Sequence, residues 1–184
     1  MQYLVLYLYT YKYKHWPIEY PMEFIEFSNT RYPQFQSQGN ASQFAIPFAK
    51  HFCKGRGYDI GFCREDWKLP GAIGIDIALD NGYHANHLPE NIQVDYIYSS
   101  HCLEHVDNWV ETLELWISTL KNGGVLFLYL PDFSQIYWRP WYNRKHHHCF
   151  TADIIVHFLR DKGMKNIVQS GVDLNNSFMI VCEK

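Results

Sequence analysis

The 184-residue sequence predicts an α/β fold: a mostly parallel sheet of six or seven strands, helices on both faces, and a C-terminal antiparallel hairpin. Three observations predict it. Strand-like and helix-like segments alternate through the middle of the chain, which is the pattern of a parallel sheet with crossover helices. Residues 125–130 form an unbroken apolar run, as a strand covered on both faces requires. The last two strand-like segments are separated by residues 171–176, a turn-rich stretch too short for a crossover helix but suited to a hairpin.

Taken in order, residues 1–40 read as an aromatic-rich leader packed on the core and residues 41–184 as one domain. The leader carries Tyr3, Tyr7, Tyr9, Tyr11, Tyr13, Trp16 and Tyr20, followed by a proline-broken stretch over 17–33, and its aromatics read most simply as packing. Phe44, Ala45, Phe48, Ala49 and Phe52 recur at helical spacing over 41–52, and the Lys54-Gly55-Arg56-Gly57 run stops that helix. Strands are expected at 58–60, 72–76 and 94–98. A helix over 109–120 follows, with Asn108 as its cap, Glu111 reaching back, and Gly123 as a left-handed exit. After the strand at 125–130, a helix over 152–162 has Thr151 as its cap and Gly163 as its stop. Strands at 167–169 and 178–181 complete the chain.

The composition, 47% hydrophobic and 17% aromatic with 19% charged, excludes a disordered chain and suits one packed domain. A formal net charge of -3 gives no broad attraction to phosphate backbones, so no nucleic-acid partner is expected. Cys53, Cys63, Cys102, Cys149 and Cys182 are odd in number and widely spaced without a CxxC pair, which suits a reducing cytoplasmic setting. Residues 1–13 lack a basic n-region and a cleavage site, and the run is broken by tyrosines and lysines. Neither a signal peptide nor a membrane span is expected.

Two segments carry chemistry. The first is the strand ending in Asp59-Ile60-Gly61-Phe62-Cys63, where a bare glycine can bring backbone against a ligand at the sheet's carboxyl edge. Asp76, at the end of the next strand, has the spacing of a carboxylate that accepts both hydroxyls of a ribose. The second is longer: Val94-Asp95-Tyr96-Ile97-Tyr98, then Ser99-Ser100-His101-Cys102-Leu103-Glu104-His105, a helix, a Leu120-Lys121-Asn122-Gly123-Gly124 turn, and an apolar strand ending in Pro131.

Over residues 57–150 this pattern closely resembles the small class I S-adenosylmethionine-dependent methyltransferases, which have a Rossmann-like fold. The resemblance implies S-adenosyl-L-methionine as cofactor, held by Asp59, Gly61 and Phe62, by Asp76 and Ile77 at the ribose, and by Ser99 and Ser100 in the loop beside the sulfonium. A methyl on a sulfonium is already activated, so the protein has chiefly to align the acceptor and remove a proton. His105 and His101 are the best-placed bases, the alternative for each being a hydrogen bond that orders the loop. Glu104 is left to pair or cap.

The tract His146-His147-His148-Cys149-Phe150-Thr151 matches a His-rich turn near the family's acceptor pocket, so His147 and His148 are expected to contact substrate. The other reading is a polar loop whose Thr151 caps the next helix. Consecutive histidines do not easily converge on one ion, and no metal ligand is assigned. Cys63 and Cys102 read as small fillers, since sulfonium chemistry needs no covalent enzyme intermediate. The acceptor implied is a small molecule, in analogy with related short members a saccharide-linked one.

The chain departs from the family pattern where further glycines are usual: Cys63 and Glu65 stand there. Side chains at these positions obstruct a backbone's approach to a ligand, and positive φ at either is penalised. With Pro70 between Gly61 and Gly71, the first crossover helix is expected to shrink to a turn or two. These departures motivate a second reading, a catalytically silent member of the fold that serves as a binding module. A nicotinamide oxidoreductase is disfavoured because no GxGxxG is present.

Overall fold

The computed structural model describes residues 24–27, 29–34, 38–79 and 82–184. The aromatic positions Tyr3 to Tyr20 lie outside the described residues. The chain divides into two units, the first ending at Gly39 and the second running Asn40–Lys184. In the first unit, strand β1 (Phe24–Phe27) pairs antiparallel with β2 (Thr30–Pro33), with Asn29 in the turn at φ 60. The sequence reading missed this hairpin behind its prolines; asparagine is the non-glycine residue that most readily takes that backbone conformation.

The second unit holds a six-stranded sheet in the order β4-β3-β5-β6-β8-β7. Its strands are β3 (Gly57–Ile60), β4 (Ile73–Ile75), β5 (Val94–Ser100), β6 (Leu120–Pro131), β7 (Lys165–Gln169) and β8 (Ser177–Glu183). β3, β4, β5 and β6 run parallel, β8 runs antiparallel to β6, and β7–β8 is the expected antiparallel hairpin. The apolar run at 125–130 lies within β6, one of the two central strands.

Strand alternation sorts the core into two layers. Leu126, Leu128 and Leu130 of β6, with Phe178, Ile180 and Cys182 of β8, face helices α2 (Trp109–Thr119) and α3 (Ala152–Asp161), which contribute Leu113, Trp116, Ile155 and Leu159. Phe127, Tyr129, Tyr96 and Tyr98 point the other way, toward helix α1 (Ser42–Phe52). α1 meets this aromatic layer with Ala45 and Ala49, both fully buried, so that small side chains lie against large rings. The sheet therefore has helices on both faces.

Two expected caps differ. Asn108 does accept the Glu111 N–H, at 3.4 Å, but α2 ends at Thr119 and Leu120 already pairs with Val94 as strand. Gly123, at φ 75, shapes the bulge between Leu120 and Val125 instead of the helix exit. At this helix end Lys184 Nζ donates to the carbonyls of Ser118 and Leu120. Thr151 stands at the N-cap of α3 without a side-chain hydrogen bond, while Gly163 follows that helix at φ 76 as expected. Between β3 and β4 there is only a single 3-10 turn, Glu65–Trp67, as the short Gly61–Gly71 interval predicts. No described helix is long and apolar enough to cross a membrane.

Candidate active site

The parallel strands end together. Ile60 pairs with Ile75 on one side and with Ser99 on the other, so Gly61, Asp76 and Ser100 are the next residues out along one sheet edge. Ser99 is fully buried, its hydroxyl donating to the Ile60 carbonyl at 2.9 Å, which ties the end of β5 to the end of β3. Gly61 takes φ 80, and a Cβ there would lie 2.4 Å from the Cys102 side chain. The bare position is thus demanded twice, by backbone conformation and by packing.

The glycine-poor loop that follows is held by carboxylates. Cys63 adopts φ 62, the left-handed conformation that costs a non-glycine residue on the order of 1 kcal/mol. Its N–H donates to Asp76 Oδ2 at 2.8 Å, and Asp76 Oδ1 accepts from the Ala78 N–H, also at 2.8 Å. Both oxygens of the expected ribose ligand are therefore already at work on the backbone, although each keeps a second lone pair. Asp59 is buried and accepts the Leu69 N–H at 2.6 Å, fixing the far end of the same loop; burial pushes its pKa up to about 7. Phe62 is buried with its ring against Gly74, whereas Ile77 is 84% exposed. Glu65 pairs with Lys68, which neutralises the acid that stands in place of a glycine.

The second half of the site is a 3-10 turn, Leu103–His105, directly after β5. It buries Glu104 completely. Neither carboxylate oxygen has a hydrogen-bond partner; ring nitrogens of His101 (Nδ1) and His105 (Nε2) lie 3.6 and 3.7 Å from Oε1. Burial raises the Glu104 pKa to about 7, against the opposing pull of His105.

The two candidate bases differ in setting. His101 lies between Tyr129 and Trp138, and its Nε2 meets Ser177 Oγ at 2.9 Å. The Ser177 hydroxyl donates onward to the Asn175 carbonyl, so His101 Nε2 is the donor and Nδ1 carries the lone pair. Burial, and then the neighbouring His146 and His105, hold its pKa well below the usual histidine value. His105 is 39% exposed, and its Nδ1–H donates to the Lys145 carbonyl at 2.6 Å, leaving the Nε2 lone pair toward Glu104.

The histidine tract divides. His147 Nδ1 pairs with Asp107 at 2.7 Å, and His148 Nε2 donates to the Asp107 carbonyl at 2.9 Å. Their backbone N–H groups both donate to the carbonyl of Glu104, at 2.8 and 3.1 Å. His146, which sequence reasoning passed over, turns inward: it is buried, its Nδ1–H donates to the Trp138 carbonyl at 2.6 Å, and its ring stacks on Trp138. Burial lowers its pKa to about 4. Nothing in the spacing of three consecutive histidines marks which one turns in; Trp138 decides it. Beyond this tract, Phe133, Trp141 and Tyr142 are exposed, and the Arg139 guanidinium lies 4.3 Å from the Phe133 ring centre and 5.8 Å from that of Trp141.

The model of a family described as a methyltransferase domain matches residues 39–170. Solved structures of similar fold include an S-adenosylmethionine-dependent methyltransferase from Archaeoglobus fulgidus, with TM-score 0.62, 16% identity, and coverage of 82% of this chain and 98% of that one. The 1,6-didemethyltoxoflavin-N1-methyltransferase of Burkholderia thailandensis, solved with 1,6-didemethyltoxoflavin and S-adenosylhomocysteine, aligns at TM-score 0.61 and 14% identity over 82% and 81% of the two chains. The N-methyltransferase NodS of Bradyrhizobium japonicum, in complex with S-adenosylhomocysteine, aligns at TM-score 0.56 and 13% identity over 81% and 87%. No curated protein sequence matches the chain.

Proposed function

Because the chain belongs to the methyltransferase-domain family, we propose that it transfers a methyl group from S-adenosylmethionine to a saccharide-linked small molecule in the cytoplasm. The observation that carries this reading is the meeting, past the ends of β3, β4 and β5, of a bare glycine, a half-exposed carboxylate and a histidine-bearing turn. The residues fit the cofactor. Asp76, half-exposed past the strand ends, keeps lone pairs for ribose hydroxyls, and Gly61, whose missing Cβ makes room for Cys102, carries the chain out of β3 in a left-handed turn beside it. When bound, S-adenosylmethionine supplies a methyl group already activated by the sulfonium.

The chain's own residues then have two tasks. Trp141 and Tyr142 offer exposed rings of the kind on which the apolar face of a sugar stacks, with Arg139, held over the Phe133 ring, beside them for an anionic substituent. His105 removes the proton: its Nδ1–H is committed to Lys145, so Nε2 receives the acceptor's proton as the acceptor oxygen bonds to the methyl carbon. Glu104, at 3.7 Å, stabilises the imidazolium that results.

Calorimetric titration of the full chain with S-adenosylmethionine and with S-adenosylhomocysteine tests the reading. Micromolar binding, roughly -8 kcal/mol, is expected for both, with a loss on the order of 100-fold in Asp76→Ala. Folded protein that binds neither would favour the silent binding module over the enzyme.

A further inference from the structure

Glu104, His105 and His146 present one ligand atom each within 4.8 Å of one another, from two segments distant in sequence. We propose that these three residues form a binding site for a divalent transition-metal ion of the zinc class. Glu104 supplies a carboxylate oxygen, and His105 and His146 each supply Nε2. The proposal concerns binding and stands whether or not the chain transfers methyl groups.

Two independent features support it. First, both imidazoles are set in the ligand tautomer. His105 and His146 each spend Nδ1–H on a backbone carbonyl, that of Lys145 and that of Trp138, both at 2.6 Å. This arrangement orients a metal-binding histidine and directs the Nε2 lone pair away from its anchor. Second, Glu104 is fully buried with both carboxylate oxygens unpartnered. A bare carboxylate in that setting is costly unless something pairs with it, and a cation is what two neutral imidazoles and one carboxylate can share.

Two imidazoles and one carboxylate are a donor set that zinc accepts with a fourth position open. Tetrahedral ligation at about 2.0–2.1 Å needs donor atoms roughly 3.4 Å apart. Glu104 Oε1 and His105 Nε2, at 3.7 Å, are nearly there. With all three donor atoms within 4.8 Å of one another, no separation has to close by more than about 1.4 Å. With an ion bound, the His105 lone pair is taken, and an acceptor hydroxyl entering the fourth position would be acidified by direct ligation. The other histidines of the tract are excluded, because His147 and His148 are both turned to Asp107.

The test uses the full chain, stripped with chelator and titrated with Zn²⁺ by calorimetry and with Co²⁺ by visible absorption, in the absence of cofactor. One equivalent should bind with micromolar or tighter affinity. Co²⁺ should give the intense bands of four- or five-fold coordination. Affinity should fall at least tenfold in His146→Ala and in Glu104→Gln, and stay within twofold in the His147→Ala, His148→Ala double variant. Should Glu104→Gln fail to fold, as circular dichroism would reveal, His105→Ala at the exposed position replaces it with the same expected loss. Folded wild type that binds no ion would overturn the proposal, as would binding that survives His146→Ala and disappears in the double variant. S-adenosylhomocysteine titration of the same samples keeps a failure here distinct from a failure of the methyltransferase reading.

Discussion

Asp59 and Glu104 are both buried carboxylic acids whose pKa burial pushes up to about 7, yet their surroundings differ in kind. Asp59 accepts a backbone N–H at 2.6 Å and, with Asp76, binds down both ends of the loop that leaves β3. Glu104 accepts nothing, and the groups nearest it are imidazole nitrogens at 3.6 and 3.7 Å. One region spends its acids on its own backbone; the other keeps an acid unspent. The loop around Asp59 needs that restraint because a cysteine occupies a left-handed position that glycine would take without strain. The loop carrying Glu104 has a left-handed residue too, His101 at φ 49, yet it spends neither Glu104 oxygen on restraint, so these unpaired oxygens mark a place arranged for something other than the chain itself.

The largest effect is expected at the turn that carries Glu104. In chelator-treated protein, His105→Ala should slow methyl transfer on the order of 100-fold or more while leaving S-adenosylhomocysteine affinity within about twofold by calorimetry. Unchanged turnover would remove His105 as the proton acceptor.

A smaller effect is expected from Asp59→Asn, which keeps an acceptor for the Leu69 N–H and deletes the charge. Asp59 titrates near 4 in an unfolded chain and at about 7 in the fold. Between those values the native state binds more protons, so the wild type loses stability as pH rises through this window. The variant lacks that loss and should gain about 1–3 kcal/mol on the wild type between pH 4 and pH 8, read from urea midpoints at each pH. A difference that stays flat with pH would show that Asp59 ionises without a desolvation cost.

The smallest effect sharpens the other side. Cys63→Gly should stabilise the protein by about 0.5 kcal/mol or less, the left-handed strain relieved less the entropy glycine adds to the unfolded chain. A loss of stability by thermal denaturation would mean that the cysteine side chain contributes packing worth more than its strain.

How legible the molecule was in its sequence follows from where the information is local. The order of strands and helices from 42 onward, the C-terminal hairpin and the shrunken first crossover could be read because periodicity, glycine placement and segment length are properties of neighbouring residues. The penalty foreseen for positive φ at Cys63 is likewise local. What could not be read depends on contacts across the fold. α2 ends where Leu120 pairs with Val94, and the distant Lys184 side chain bonds the carbonyls of Ser118 and Leu120, so Gly123 was given a role it does not have. His146 is distinguished from His147 and His148 only by the Trp138 carbonyl and ring. Asp107, which orients the other two, carries no motif at all.

The two amides that grip the Glu104 carbonyl belong to His147 and His148, at the end of the loop that bears the exposed aromatic rings. That loop and the buried acid are consequently one mechanical piece: neither shifts without loading the hydrogen bonds between them. Thermodynamic linkage then runs both ways, so that a ligand steadying the aromatic loop and an occupant of the acid site each strengthen the other by the same factor. Protection of the His147 and His148 amides from hydrogen exchange reads that linkage directly, without knowledge of either ligand's identity.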